Sequence, residues 1–282
     1  MTRQQAGVNV GSFDFDQAEG LRRMLAGAKP RIFTFVSATT DDEKNAMLVN
    51  LSASLVCAGS DVLLMDATHS AGGIASRLRA KPGATLLDVA RQERALDEVV
   101  QLTSQGFGVA TMSRLSLRDA SHTADQARRL GNAFDILVKQ TDVLVIDAEL
   151  DEDDSFPVPA MDAGEIIVQV STSATSITEA YSIIKRLYGR LGRRPFSVLV
   201  TGASDREAQV VYANMEQAAS RYLAVQLNSL GSVPADDHLS RASRLGRTVI
   251  DAYPLAGASV AFRRLADRFA YASTAFSLNT GA

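Results

Sequence analysis

The chain has 282 residues, of which 46% are hydrophobic and 22% charged, and its formal net charge is −3. This length suffices for one large α/β domain or two small ones, and the near-neutral charge argues against nucleic-acid binding through a strongly basic face. Cys57 is the single cysteine, which excludes an intramolecular disulfide and a cysteine-based metal cluster. With no signal peptide and no apolar run of about 18 residues, the sequence predicts a cytoplasmic protein.

Residues 1–30 are predicted to form a flexible N-terminus that carries one short helix. Asp16 can cap this helix with Glu19 three residues later, as in a capping box. The helix has an apolar stripe made of Ala18, Leu21, Met24 and Leu25. Two interpretations stay open: the helix docks on its own domain, or it detaches and binds a partner protein.

Residues 31–50 contain the most informative pattern in the chain. A β-branched and aromatic run predicts a strand, and the apolar residues after it have the spacing of a helix. A strand that enters a helix through a tight loop is where α/β proteins hold phosphate, and glycines normally build that loop. This loop contains no glycine. Lys44 stands where a P-loop lysine would, behind the carboxylates of Asp41, Asp42 and Glu43. The pattern predicts the loop of a nucleotide-binding site that no longer binds its nucleotide.

Strand and helix patterns alternate along the remaining sequence. Further strands are predicted at 60–67, 108–112, 141–147, 165–170, 196–201 and 231–234, and helices at 43–58, 123–140, 174–189, 205–225, 236–246 and 258–276, with two short helical pieces in 86–100. This alternation predicts a single α/β domain over 31–270, a mostly parallel twisted sheet of about seven strands with helices on both faces, followed by a tail at 271–282. Cys57 is expected to be buried.

The acidic segment 148–164 is predicted to be a loop, at the position where a nucleotide-sensing switch would follow the strand that ends at Asp147. The last helix places Phe262, Leu265 and Phe269 on one side and has only a modest basic face. We expect this helix to dock in the core and membrane contact to be weak and peripheral at most.

Seven stretches, in order, match the motifs of one family. They are DQAEGLR at 16–22, the segment 37–50 on the loop S-G-K-G-G-V-G-K-T-N and its helix, VLLMDA at 62–67, LVIDA at 144–148, ITEAYSIIK at 177–185, GSVPADD at 231–237 and AYPLAGASVAFRRLA at 252–266. On these residues the chain resembles the MinD/ParA class of deviant P-loop ATPases, and within it the flagellar-number regulators (FlhG/FleN). The resemblance implies a MinD-like P-loop NTPase fold.

The departures from that family affect the nucleotide chemistry. The loop glycines fall on Ala38, Thr40, Asp41 and Glu43. The signature lysine that reaches across an ATP-bound dimer falls on Thr39, and the Mg²⁺-binding threonine falls on Asn45, which has no hydroxyl. The aspartate that positions the attacking water falls on Thr68, and the adenine-reading asparagine falls near Thr201.

Little of the family's chemistry remains, so we predict a vestigial nucleotide site and no catalytic or metal-ligating residue. The vestigial site consists of Lys44, Asn45, Asp66 and Asp147. We expect Lys44 to pair with Asp66 or Asp147, and Asp41 or Asp42 to cap the helix. No cofactor is expected, and ATP with Mg²⁺ would be the ligands only if the site is still active.

Two functional classes follow from the resemblance. The first is a binding protein that has lost ATP turnover and keeps the surfaces for its partners, implied to be a signal-recognition-type GTPase (FlhF), flagellar switch proteins or a transcription activator. The second is a slow ATPase whose loop rearranges. In the resembling regulators the N-terminal helix stimulates the GTPase, so the predicted partner-binding residues are Asp16, Gln17, Ala18, Leu21 and Arg22. We expect no ATP-driven dimer, no direct nucleic-acid contact, and a location at the cell pole or inner-membrane face.

Overall fold

The computed structural model describes residues 30–68, 73, 74, 78, 83–113 and 123–277. The strands are β1 (Arg31–Ser37), β2 (Val62–Ala67), β3 (Gln101–Leu102), β4 (Gly108–Thr111), β5 (Val143–Ala148), β6 (Glu165–Val170), β7 (Phe196–Thr201) and β8 (Leu227–Val233). The helices are α1 (Asp41–Cys57), α2 (Leu86–Ala90), α3 (Ala124–Lys139), α4 (Ala174–Leu191), α5 (Asp205–Leu223), α6 (Asp237–Arg244), α7 (Val249–Ala252) and α8 (Gly257–Ser277). Single 3₁₀ turns lie at Leu96–Glu98 and Pro159–Asp162.

The eight strands form one sheet in the order β3-β4-β2-β5-β1-β6-β7-β8. Every neighbouring pair is parallel except β3 and β4, which are antiparallel. Strands β2 and β5 are buried at every position, as expected for parallel strands that are covered on both faces. One face of the sheet packs against α2, α3, α4 and α5, and the other against α1, α6, α7 and α8.

Helix α8 docks in the core, as the sequence predicts. Phe262, Leu265 and Phe269 are buried, and the Phe269 ring lies 4.3 Å, centroid to centroid, from the ring of Phe33 in β1. Arg268 lies on the exposed side, where its guanidinium donates to the backbone oxygen of Ser229 at 2.7 Å. The described helices include none that is both long and apolar enough to cross a membrane.

The fold class is confirmed, but several details differ from the sequence prediction. β8 begins at Leu227 rather than at residue 231, and the short helix α7 was not predicted. The sheet has eight strands because β3, only two residues long, carries no readable pattern.

Helix α1 begins at Asp41 rather than Glu43. Its N-cap is the hydroxyl of Thr40, which accepts from the Glu43 N–H, and not a carboxylate of Asp41 or Asp42. Cys57 is exposed, because α1 ends there and the following turn faces solvent.

Some predictions lie outside the described residues. The predicted N-terminal helix with Asp16, Gln17, Ala18, Leu21 and Arg22 is one of them, and the end of the predicted tail, residues 278–282, is another.

Candidate functional site

The predicted vestigial site lies where the carboxyl ends of the central strands meet the start of α1. Asp66 and Asp147 are register partners in β2 and β5, and Lys44 is in the first turn of α1. The ammonium of Lys44 lies 3.3 Å from the Asp147 carboxylate. The structure therefore brings Lys44, Asp66 and Asp147 together, as predicted. Asn45 follows Lys44 on α1, but it lines a different cavity from Lys44.

The loop between β1 and α1 uses its first backbone donors internally. The N–H of Ala38 donates to the backbone oxygen of Gln169 at 2.9 Å and so extends the pairing of β1 with β6. The N–H of Thr39 donates to the side-chain oxygen of Ser37 at 3.2 Å. In a phosphate cradle such N–H groups would point at the anion. Here both are already bonded to the protein.

Two of the donors at the start of α1, those of Glu43 and Lys44, are also in use. The N–H of Glu43 donates to the Thr40 hydroxyl at 3.4 Å, and the N–H of Lys44 donates to the Thr40 backbone oxygen at 2.9 Å. Residues 41–43 are in the first helical turn, with their carboxylates near the positive end of the helix dipole. The connection that would wrap a phosphate is thus reduced to residues 38–40.

Lys44 is surrounded by carboxylates from three places in the chain. Its side chain is only 7% exposed, and its ammonium lies 3.3 Å from Asp147, 3.5 Å from Asp41 and 4.0 Å from Glu149. Of the two partners predicted for Lys44, the structure selects Asp147. Asp66 instead accepts from the backbone N–H and hydroxyl of Thr68 at 3.2 and 2.9 Å.

Burial and neighbouring charges shift the pKa values of this ion pair. Burial raises the pKa of the Asp147 carboxyl to about 7, against the effect of Lys44, and the Asp66 carboxylate adds to the rise. Burial alone would lower the pKa of Lys44, but the carboxylates of Asp147, Glu149 and Asp41 outweigh it and raise this pKa. Near neutral pH Lys44 is therefore charged, while Asp147 is close to its titration midpoint.

Glu43 closes the site on its other side through a polar network that sequence reasoning missed. The Thr201 hydroxyl donates to the Glu43 carboxylate at 2.6 Å, and the Gln169 amide donates to the Thr201 oxygen at 3.2 Å. This network links α1 to the ends of β6 and β7. A glutamine inside the apolar run EIIVQV is a signal that could have found it, because a buried amide needs partners.

Asn45 is buried to 2% exposure, and within the described part of the chain neither its amide nitrogen nor its amide oxygen has a hydrogen-bond partner. It lines a cavity of about 1030 Å³ together with Thr201, Gly202 and Pro234. The residues at hand do not fit a Mg²⁺ site. Asp147 is already paired with the Lys44 ammonium at 3.3 Å, Asn45 has no hydroxyl, and the described His, Cys, Asp and Glu residues form no cluster that could hold a metal ion.

Comparisons with known proteins identify the fold and the family. No protein-family model matches the chain. The cell division ATPase MinD of Pyrococcus furiosus is similar in structure, with a TM-score of 0.64 and 19% identity over 85% of this chain and 98% of that chain. MinD from Pyrococcus horikoshii, solved with Mg-ADP, has a TM-score of 0.63 and 18% identity over 86% and 98% of the two chains. A ParA family ATPase from Chlorobium tepidum has a TM-score of 0.63 and 19% identity over 85% and 99%.

The fold is therefore that of the MinD/ParA class of P-loop NTPases. In sequence, the chain is 31% identical to antiactivator FleN of Pseudomonas aeruginosa over 231 residues. The aligned region covers 80% of this chain and 81% of that protein. The chain belongs to the FlhG/FleN branch of the MinD/ParA family, as the sequence motifs predict.

Proposed function

We propose that this protein regulates flagellar number or placement by binding other proteins, and that it does not bind or hydrolyse ATP effectively. The observation that carries the proposal is the internal use of the loop donors. The N–H groups of Ala38, Thr39, Glu43 and Lys44 are all hydrogen-bonded within the chain. Phosphoryl transfer depends on positioning and on charge stabilisation, and this loop supplies neither.

Electrostatics supports the same proposal. A like charge about 4 Å from a phosphate costs roughly 4 kcal/mol at an effective dielectric constant near 20. Two such charges would offset the roughly 8 kcal/mol of a micromolar affinity. Three carboxylates stand at the start of α1, and Lys44 is already paired with Asp147.

Calorimetric titration with ATP and Mg²⁺ tests the proposal. We expect the wild-type protein to give no saturable isotherm with a Kd below about 100 μM. Replacing residues 41–43 by three glycines should restore weak binding. A matched variant, Asp41→Asn with Asp42→Asn and Glu43→Gln, removes the charges without adding glycine and separates the two causes. A saturable, Mg²⁺-dependent isotherm for the wild type would contradict the proposal.

The second candidate is a slow ATPase whose loop rearranges to admit nucleotide. Lys44, Asp66 and Asp147 stand at the family's positions, and the Pyrococcus horikoshii MinD was solved with Mg-ADP. This candidate requires Lys44 to leave Asp41 and Glu149 and the N–H of Lys44 to leave Thr40. Wild-type binding in the titration above would favour it.

The proposed partners are a signal-recognition-type GTPase (FlhF), flagellar switch proteins and a transcription activator. The name of the Pseudomonas aeruginosa relative, antiactivator, supports the last of these. We propose that the DQAEGLR segment, with Gln17 as its active residue, stimulates the GTPase. The working location would be the cytoplasm, at the cell pole or the inner-membrane face.

A further inference from the structure

The segment that follows β5, residues 149–155, forms an acidic loop held at both ends by cations. At its start, the Glu149 carboxylate lies 4.0 Å from the ammonium of Lys44, which is almost fully buried on α1. Glu149 itself is about half-exposed, so its carboxylate reaches inward from the loop to the cation. This first attachment joins the loop to the helix that begins the vestigial site.

The far end of the acidic loop is attached to a different helix. Arg186 of α4 donates from its Nε to the Asp154 carboxylate and from its Nη2 to the backbone oxygen of Asp151 at 2.8 Å. Between these contacts the loop closes a tight turn. The Asp151 N–H donates to the Ser155 oxygen at 2.9 Å, and Asp154 has a φ of 63° in the left-handed region.

The two attachments come from opposite faces of the sheet and meet in one place. Lys44 belongs to the helix on one face and Arg186 to a helix on the other. Both cations line a single cavity of about 290 Å³, together with Glu149 and Leu150 of the acidic loop. The loop therefore connects the two layers of helices across the carboxyl edge of the sheet.

We propose that Lys44 and Arg186 form a clamp that fixes the acidic loop in one conformation without nucleotide. In this arrangement the Lys44 ammonium lies 3.5 Å from Asp41 and 4.0 Å from Glu149, so a bound anion would compete with both carboxylates. The surface made by the acidic loop and α4 then keeps one conformation and needs no nucleotide to form. The inference deepens the proposed function and rests on it, because it requires that no phosphate competes for Lys44.

Hydrogen exchange on the full-length, nucleotide-free protein tests the clamp. We expect Glu149→Gln and Arg186→Gln each to speed exchange of the amides of residues 149–155 by about threefold, the scale of a partly exposed ion pair. Exchange in β6 should not change. Asp135→Asn, which removes an exposed carboxylate on α3, is the matched control and should leave the acidic loop unchanged.

Two results would overturn the clamp. One is unchanged exchange of the acidic loop in both variants. The other is an equal rise in β6, because that would mean general destabilisation. The proposed function is measured separately by calorimetry, and ATP binding there would contradict the proposed function whatever the exchange of the nucleotide-free variants.

Discussion

Asp147 has no solvent exposure, and its ion pair with Lys44 does not offset its burial. Burial raises the pKa of this carboxyl to about 7, whereas in the unfolded chain it titrates near 4. The folded state therefore binds more protons than the unfolded state between these values. The stability that Asp147 contributes is present at low pH and is lost as the pH rises towards 7.

We predict that the free energy of unfolding of the wild type falls relative to Asp147→Asn by more than about 1 kcal/mol between pH 4 and pH 7. The measurement is urea denaturation of both proteins at a series of pH values. Asp125→Asn is the control, because Arg128 and Arg129 lower the pKa of Asp125. Its contribution is lost as the pH falls, which is the opposite direction, and only near the pH 4 end of this range. A flat difference for Asp147→Asn would show that the raised pKa is wrong.

At the residue scale, the sequence predicted which residues meet but not every bond between them. The positions of Lys44, Asp66 and Asp147, at a helix start and at strand ends, predict that Lys44 pairs with one of the two aspartates. The structure selects Asp147.

The sequence predicts that a carboxylate of Asp41 or Asp42 caps α1. In the structure the N-cap is the hydroxyl of Thr40, one residue before Asp41. The bond from Thr201 to Glu43 joins residues far apart in the chain, and no local pattern specifies it.

At the scale of elements, the sequence predicts strand bounds correctly where polar residues flank a mostly apolar run. β6 and β7 have the bounds that the sequence predicts. β3 and α7 were missed, because two and four residues are too short to show a period and are defined by what they pack against. The early start of α1 was missed because its first turn is acidic and exposed, so the apolar spacing begins later.

The nucleotide site does not affect the role predicted for the N-terminal segment, which the sequence predicts to contain a helix. We predict that the full-length protein raises GTP turnover by the partner GTPase, and that Gln17→Ala lowers this rise several-fold. The physical requirement is one amide next to an apolar docking stripe, and ordering on binding holds the affinity near micromolar.

Turnover of GTP with wild type, Gln17→Ala and Leu21→Ala measures this prediction. Gln4→Ala, which lies in the same N-terminal segment outside the stripe, is the matched control. If turnover with Gln17→Ala and with Leu21→Ala equals that with wild type, the helix has no part in stimulation.

At the scale of the whole molecule, we predict that nucleotide does not change the oligomeric state. The family's dimer needs a signature lysine, and Thr39 at that position is too short to span to a partner's phosphates. Its hydroxyl lies 2.9 Å from the Ser37 hydroxyl instead. Sedimentation velocity with and without an ATP analogue should give the same mass. A shift from monomer to dimer on adding the analogue would refute this.

The overall architecture was the most predictable level, because alternating apolar strands and amphipathic helices leave few arrangements other than a parallel sheet covered on both faces. The loop chemistry was predictable in composition only. The absence of glycine is visible in the sequence, but the occupation of each N–H depends on the approach of Gln169 from β6 and on the orientation of the Thr40 hydroxyl.

The placement of residues 41–43 in the first turn of α1 has an evolutionary consequence. Each carboxylate there stabilises the helix by about 0.3–1 kcal/mol through its dipole, and reversion of Asp41 or Glu43 to glycine would remove that contribution before any phosphate loop existed. Intermediates on the way back would therefore be less stable and gain nothing in return. Lengthening this helix is therefore easier to gain than to reverse.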